Sequence, residues 1–116
     1  MESQARNEVF VTGRLAAEPE ERELPSGDSL TSWRLVVDRA PSRRKPLEGT
    51  RETTLDTLDC VAWAAGVQRS VASWQPGDVI AIEGAVRRRF WRAPGGGVAS
   101  RYEIEVLKAK RVARAA

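Results

Sequence analysis

Histidine is absent from the 116 residues, and cysteine occurs once, at Cys60. Without histidine the chain lacks the commonest acid–base and metal-ligating side chain. One cysteine excludes an internal disulfide and a cysteine metal cluster. Asp56 and Asp59 invite comparison with a cation site, yet two acids with no histidine and no third carboxylate nearby make a poor one. No nucleophile–base constellation is present, so no catalytic residue, metal or cofactor is expected. Gly95-Gly96-Gly97 lacks the Lys-Ser/Thr and the strand-to-helix setting of a phosphate loop and reads as a hairpin tip. No apolar run approaches membrane-spanning length, and Met1-Glu2-Ser3-Gln4 lacks the basic-then-apolar order of a signal peptide. The expectation is a cytoplasmic, non-enzymatic protein with no membrane partner.

What is present is ordinary in amount and uneven in placement. Hydrophobic residues make up 41% and charged residues 30%, a balance suited to a single globular domain with a genuine core. The net charge is only +3, but residues 84–116 hold nine Lys/Arg against two acids, whereas residues 1–83 hold ten against fourteen. One part of the molecule therefore carries an electrostatic footprint that the net value hides.

The most informative stretch runs from Gly77 to Trp91. It opens on a Pro76-Gly77-Asp78 turn, and Ile80, Ile82, Gly84 and Val86 then alternate with Val79, Ala81, Glu83 and Ala85 as in a strand. Gly84 marks a bulge, a barrel corner or a close backbone approach. Beyond it, alternation puts Arg87, Arg89 and Trp91 on one face and Arg88 and Phe90 on the other. A cationic strip ending in a large aromatic suits a nucleic-acid strand, with arginines for phosphates and an indole for a base; a solvated edge strand is the plainer alternative.

Taken in order, the chain starts with a strand in which Val9, Val11, Gly13 and Leu15 share a side. Glu18 to Arg22 reads as a charged connector, and Pro25-Ser26-Gly27-Asp28 as a turn. The second strand, Leu30 to Asp38, aligns Trp33, Leu35 and Val37. Residues 39–52 carry two prolines, one glycine and five basic residues and read as a mobile basic loop. The third strand, Thr54 to Trp63, sets Leu58, Cys60 and Ala62 against Thr57, Asp59, Val61 and Trp63, with Cys60 as a small buried hydrophobe. Ala64, Val67, Val71 and Trp74 then follow helical spacing over about ten residues. The fourth strand, the Ala93–Gly97 tip and a fifth strand from Ser100 to about Val112 complete the chain. An all-β, five-stranded OB-fold barrel with one short helix between strands three and four has this layout.

At this point the sequence resembles the bacterial single-stranded DNA-binding protein family over roughly residues 7–112. The resemblance rests on Asn7-x-Val9-x-Val11-x-Gly13-x-Leu15, Glu18-Pro19-Glu20-x-Arg22, Trp33-x-Leu35-x-Val37, Cys60-Val61-Ala62-Trp63, Pro76-Gly77-Asp78-x-Ile80-x-Ile82-Glu83-Gly84, Arg89-x-Trp91 and Arg101-Tyr102-x-x-Glu105-Val106. It implies non-specific binding of single-stranded DNA by a homo-oligomer, usually a homotetramer, in replication, recombination or repair. It also implies that Trp63 and Trp91 hold base-stacking positions, while Trp33 and Trp74 fall on core positions. Thr57 stands where many relatives carry an aromatic, Asp59 beside it would repel phosphate, and Pro41 lies near another position that is aromatic in some members. Typical members continue into a flexible segment ending in an acidic peptide that recruits partners, whereas this sequence closes on basic Lys110-Arg111-Val112-Ala113-Arg114. No tail-mediated recruitment is expected of a short paralogue with this end; a piece cut from a longer chain is the other reading of it.

Phosphate contacts are expected from Arg87 and Arg89 above Arg88, and also from Arg34, which is out of phase with the core residue Trp33. The loop cations Arg43, Arg44 and Lys45 join them as candidates. Phe10, opposite in phase to Val9 and Val11, is the candidate for self-association through the first strand. A tail-less interaction module of the primosomal type, bridging replication factors, is the competing reading.

Overall fold

The computed structural model describes residues 4–40, 47–51 and 53–116. Its elements in order are β1 (Val9–Leu15), β2 (Glu20–Glu23), β3 (Ser29–Asp38), β4 (Leu55–Ala62), α1 (Ala65–Val71), β5 (Val79–Arg92) and β6 (Val98–Ala113). The strands form one sheet in the order β1-β5-β6-β4-β3-β2, and a further β1–β3 pairing closes β1, β5, β6, β4 and β3 into a five-stranded barrel. All neighbours are antiparallel except β4 and β6, which run parallel through Cys60↔Ile104 and Val61↔Glu105. The expected barrel and its helix are thus both present.

Closure depends on β1 changing partners along its length. Val9 to Arg14 pair with β5, and Arg14 and Leu15 pair with Val36 and Leu35 of β3. At the crossing the backbones approach so closely that a Cβ on Gly13 would lie 2.7 Å from the Val36 carbonyl oxygen. That is why glycine interrupts an otherwise apolar face.

Residues 20–23, overlapping the Glu18–Arg22 stretch expected to be a connector, form β2. All four side chains are exposed, so no alternation betrays the strand. It forms because Gly27, at φ 92°, lets the chain reverse. Leu24 N–H then bonds the Asp28 carbonyl at 2.8 Å, and Glu20–Glu23 pair with Ser32–Ser29.

Inward-facing residues fill the barrel as the alternation requires. Trp33, Leu35, Cys60, Ala62, Ile80, Ile82, Ile104 and Val106 are buried in one cluster. α1 is seven residues long, shorter than the expected ten, and closes one barrel end with Val67 and Val71. A turn held by Trp74 N–H to the Val71 carbonyl (3.0 Å) carries Trp74 into the core, where it meets Trp33 edge to face at 5.5 Å. Gln68 fixes the helix: Thr31 Oγ1 donates to its Oε1 at 2.8 Å, and its Nε2 donates to the Ser29 and Trp63 carbonyls. Cys60 is a buried neutral thiol; burial first, then Asp59 and Glu103, push its pKa up to about 12. No helix among the described residues is long and apolar enough to cross a membrane.

Candidate nucleic-acid interface

β5 and β6 outlast their neighbours. Pairing with β1 ends at Val9↔Gly84, and β4 reaches β6 only at Ile104 and Glu105. Asn7 adds one last rung, its amide exchanging hydrogen bonds with the backbone of Val86 at 2.7 and 2.9 Å. Past that point Arg87–Arg92 and Val98–Glu103 continue as a two-stranded ribbon, closed at Ala93–Gly97 by a turn with Gly95 and Gly96 at positive φ. The expected hairpin tip is where the glycines place it.

One face of the ribbon is continuous with the outer face of the barrel and carries Arg87, Arg89 and Trp91 opposite Glu103, Arg101 and Ala99. Trp91 is 41% exposed, and the Arg89 guanidinium lies 5.4 Å from its ring centroid. Arg89 Nε is buried yet finds no hydrogen-bond acceptor among the described residues. A cleft of about 180 Å³ joins Arg89 to Arg22, Leu30, Val61, Arg101 and Glu103. Val61, which alternation puts outside the barrel, is buried there together with Leu30, because the β2–β3 hairpin and Arg89 cover it.

Trp63, the residue after β4, is 46% exposed and held through its carbonyl by Gln68. Val61 is level with Glu105 on β6, whereas Trp91 is level with Ala99 six residues earlier, about 20 Å along the strand. Trp63 follows two residues beyond Val61. The two exposed indoles therefore lie at opposite ends of the outer face and do not form one stack.

Carboxylates decide which arginines are unneutralised. Arg34 Nε pairs with Asp59, its direct cross-strand neighbour, at 2.9 Å, and Arg87 Nε pairs with Glu105 at 3.2 Å. Arg88, Arg89, Arg92 and Arg101 have no carboxylate within 4 Å among the described residues. The groove of about 460 Å³ between Arg34 and Arg101 also holds Glu18, Glu20, Asp59 and Glu103, a poor setting for phosphate. Arg43, Arg44 and Lys45, with Pro41, lie outside the described residues. Thr57 and Asp59 sit on the outer face of β4, as expected, with Asp59 engaged by Arg34.

Sequence reasoning did not single out Arg101, Tyr102 or Phe90 as contact residues, nor Asn7 and Gln68 as positioning ones. A signal for the first three existed. Centring the turn on Gly95 pairs Arg92 with Val98 and hence Arg88 with Tyr102, which is the register observed. The amide roles of Asn7 and Gln68 depend on residues 79 and 37 positions away and left no local trace.

A closed five-stranded barrel capped by one helix, with a long hairpin leaving its sheet, is an OB fold. The chain belongs to the single-strand binding protein family, whose profile matches residues 6–112. It is 30% identical over 90 residues to a single-stranded DNA-binding protein of Thermotoga maritima, covering 78% of this chain and 62% of that one. A Deinococcus radiodurans protein of the same name is 26% identical over 114 residues, covering 98% and 36%. The chain thus spans between about a third and two thirds of the length of these relatives. Among solved structures, the Plasmodium falciparum SSB complex with ssDNA superposes with a TM-score of 0.74 at 18% identity, covering 95% of this chain and 96% of that one, and so shares its fold.

Proposed function

We propose that the protein binds single-stranded DNA without sequence specificity, in replication, recombination or repair. Bases stack on Trp63 and Trp91 at the two ends of the outer face, and arginines of β5 and β6 neutralise the phosphates between them. The observation that carries this reading is the Arg89–Trp91 pair: an exposed indole beside a guanidinium that no carboxylate among the described residues neutralises. The names of its relatives support the same reading. Arg101 joins Arg89 as a primary phosphate contact, and the loop cations Arg43, Arg44 and Lys45 contribute from the side. Arg34 and Arg87 contribute less, because each must first give up a carboxylate. No element among the described residues presents base-edge readers for a duplex groove, so single strands are preferred over duplex.

Quenching of tryptophan fluorescence by oligo-dT at two salt concentrations tests the proposal. Saturable quenching that weakens steeply with salt is expected, since each neutralised phosphate releases counterions. Absence of quenching at low salt would contradict it and favour the protein-interaction module.

The same reading includes self-association, as a homodimer at least and a homotetramer in full. The β1 edge from Val9 to Gly13 that faces away from β5 pairs with no described strand, and Phe10 projects beside it, 69% exposed. An apolar groove of about 480 Å³ joins Phe10 and Val11 to Ile82 and Ala109. Light scattering should give a multiple of the 12.8 kDa chain mass; a monomer would overturn the assembly.

A further inference from the structure

We propose that the opposite face of the β5–β6 ribbon is a second single-strand platform, built from Arg88, Phe90 and Tyr102; this rests on the single-strand reading above. Arg88 stands directly across from Tyr102, and Phe90 is two residues further along the same face. The Arg88 guanidinium lies 5.0 Å from the Phe90 ring centroid and 5.4 Å from that of Tyr102. Its Nε and Nη2 both donate to Ser100 Oγ, at 3.2 and 3.0 Å, which holds the cation between the rings. Phe90 is 60% exposed and Tyr102 63%, more than either outer-face indole.

Charge identifies the occupant. The strand positions of this face beyond the barrel mouth are Val86, Arg88, Phe90 and Arg92 on β5, and Val98, Ser100 and Tyr102 on β6. Two arginines and no carboxylate stand among them, whereas the Trp91 face includes Glu103 and Glu105. A purely apolar patch would suit a protein partner. Two unneutralised guanidiniums set among exposed rings instead suit a polyanion that also offers π-faces, which is a single strand with unstacked bases. The ribbon would then carry nucleic acid on both sides, so that a strand leaving Trp91 at the ribbon edge can turn and stack again on Phe90 and Tyr102.

The test compares oligo-dT affinity of the parent, the Phe90→Leu/Tyr102→Leu double variant and Phe90→Trp. It also maps photocrosslinks from an oligo-dT carrying 5-iododeoxyuridine on the parent protein. Leucine keeps apolar bulk without a ring, so the double variant should bind about tenfold more weakly per lost stack at an unchanged melting point. Phe90→Trp should bind at least as well as the parent, and crosslinks should map to Tyr102 or Phe90 as well as to Trp91. Parental affinity in the double variant, or crosslinks confined to Trp63 and Trp91, would overturn the second platform while leaving the single-strand reading intact. A changed mass at unchanged affinity would make the face a contact between copies and overturn it too. Failure of the parent to bind oligo-dT would remove both readings together.

Discussion

Asp78 is 2% exposed, and its carboxylate accepts the backbone N–H groups of Gln75 and Ala115 at 2.8 Å each, with Arg111 Nη1 3.6 Å away. These bonds tie the turn before β5 to the chain following β6. The two backbone hydrogen bonds hold the carboxyl below its usual range, with Arg111 adding to the effect and burial opposing it. A depressed folded-state pKa stabilises the fold above the unfolded value of about 3.9, and that contribution is lost as pH falls through the folded pKa. Asp38 and Asp56, hydrogen-bonded to Arg14 and Arg39, shift in the same direction. Asp78→Asn should therefore melt several degrees below the parent at neutral pH, with the gap narrowing below about pH 4. A gap independent of pH would show that the charge of Asp78 does not matter.

Among the elements, the β5–β6 pair carries most of the proposed site, and Gly84 sets its alignment. A Cβ there would lie 2.0 Å from the Glu105 carbonyl oxygen, closer than any packing allows. At this point β6 takes an extra residue, Leu107, between the partners of Glu83 and Gly84, and the ribbon's register follows from that shift. Gly84→Ala must push the two strands apart, costing about 1–3 kcal/mol or more. It should also weaken oligo-dT binding, because Trp91, Arg89 and Arg101 all lie beyond the shift. Parental stability in Gly84→Ala, measured by thermal melting, would contradict the close approach.

Legibility also varied by element, for physical reasons. The five barrel strands were readable because each buries one face, so Trp33 and Leu35, or Leu58, Cys60 and Ala62, recur every second residue. β2 buries nothing and was read as a connector. The burial of Val61 and Leu30 on the outer face depends on a hairpin and an arginine remote in sequence, so alternation places Val61 opposite the core residues without showing that it is covered. The pairing of Arg34 with Asp59 depends on the β3–β4 register, which no single strand encodes. The charge run was legible as a run, but not which of its members a carboxylate would claim.

At the scale of the whole molecule, the basic excess of residues 84–116 is concentrated on the ribbon and on β6, while acids collect on β2 and in the groove beside Arg34. That polarity directs a polyanion toward the hairpin and the outer face rather than the groove. The four tryptophans divide along the same line. Trp33 and Trp74 hold the core together, and Trp63 and Trp91 are half-exposed at the two ends of the outer face. Melting and oligo-dT binding curves for the four single alanine variants therefore test the stacking mechanism most directly. Trp33→Ala and Trp74→Ala should lose about 3–5 kcal/mol of stability and fold poorly. Trp63→Ala and Trp91→Ala should melt close to the parent yet lose about 1–3 kcal/mol of binding per stacked base. If Trp91→Ala unfolds the protein, or binds oligo-dT as tightly as the parent, the outer face is not where the strand stacks.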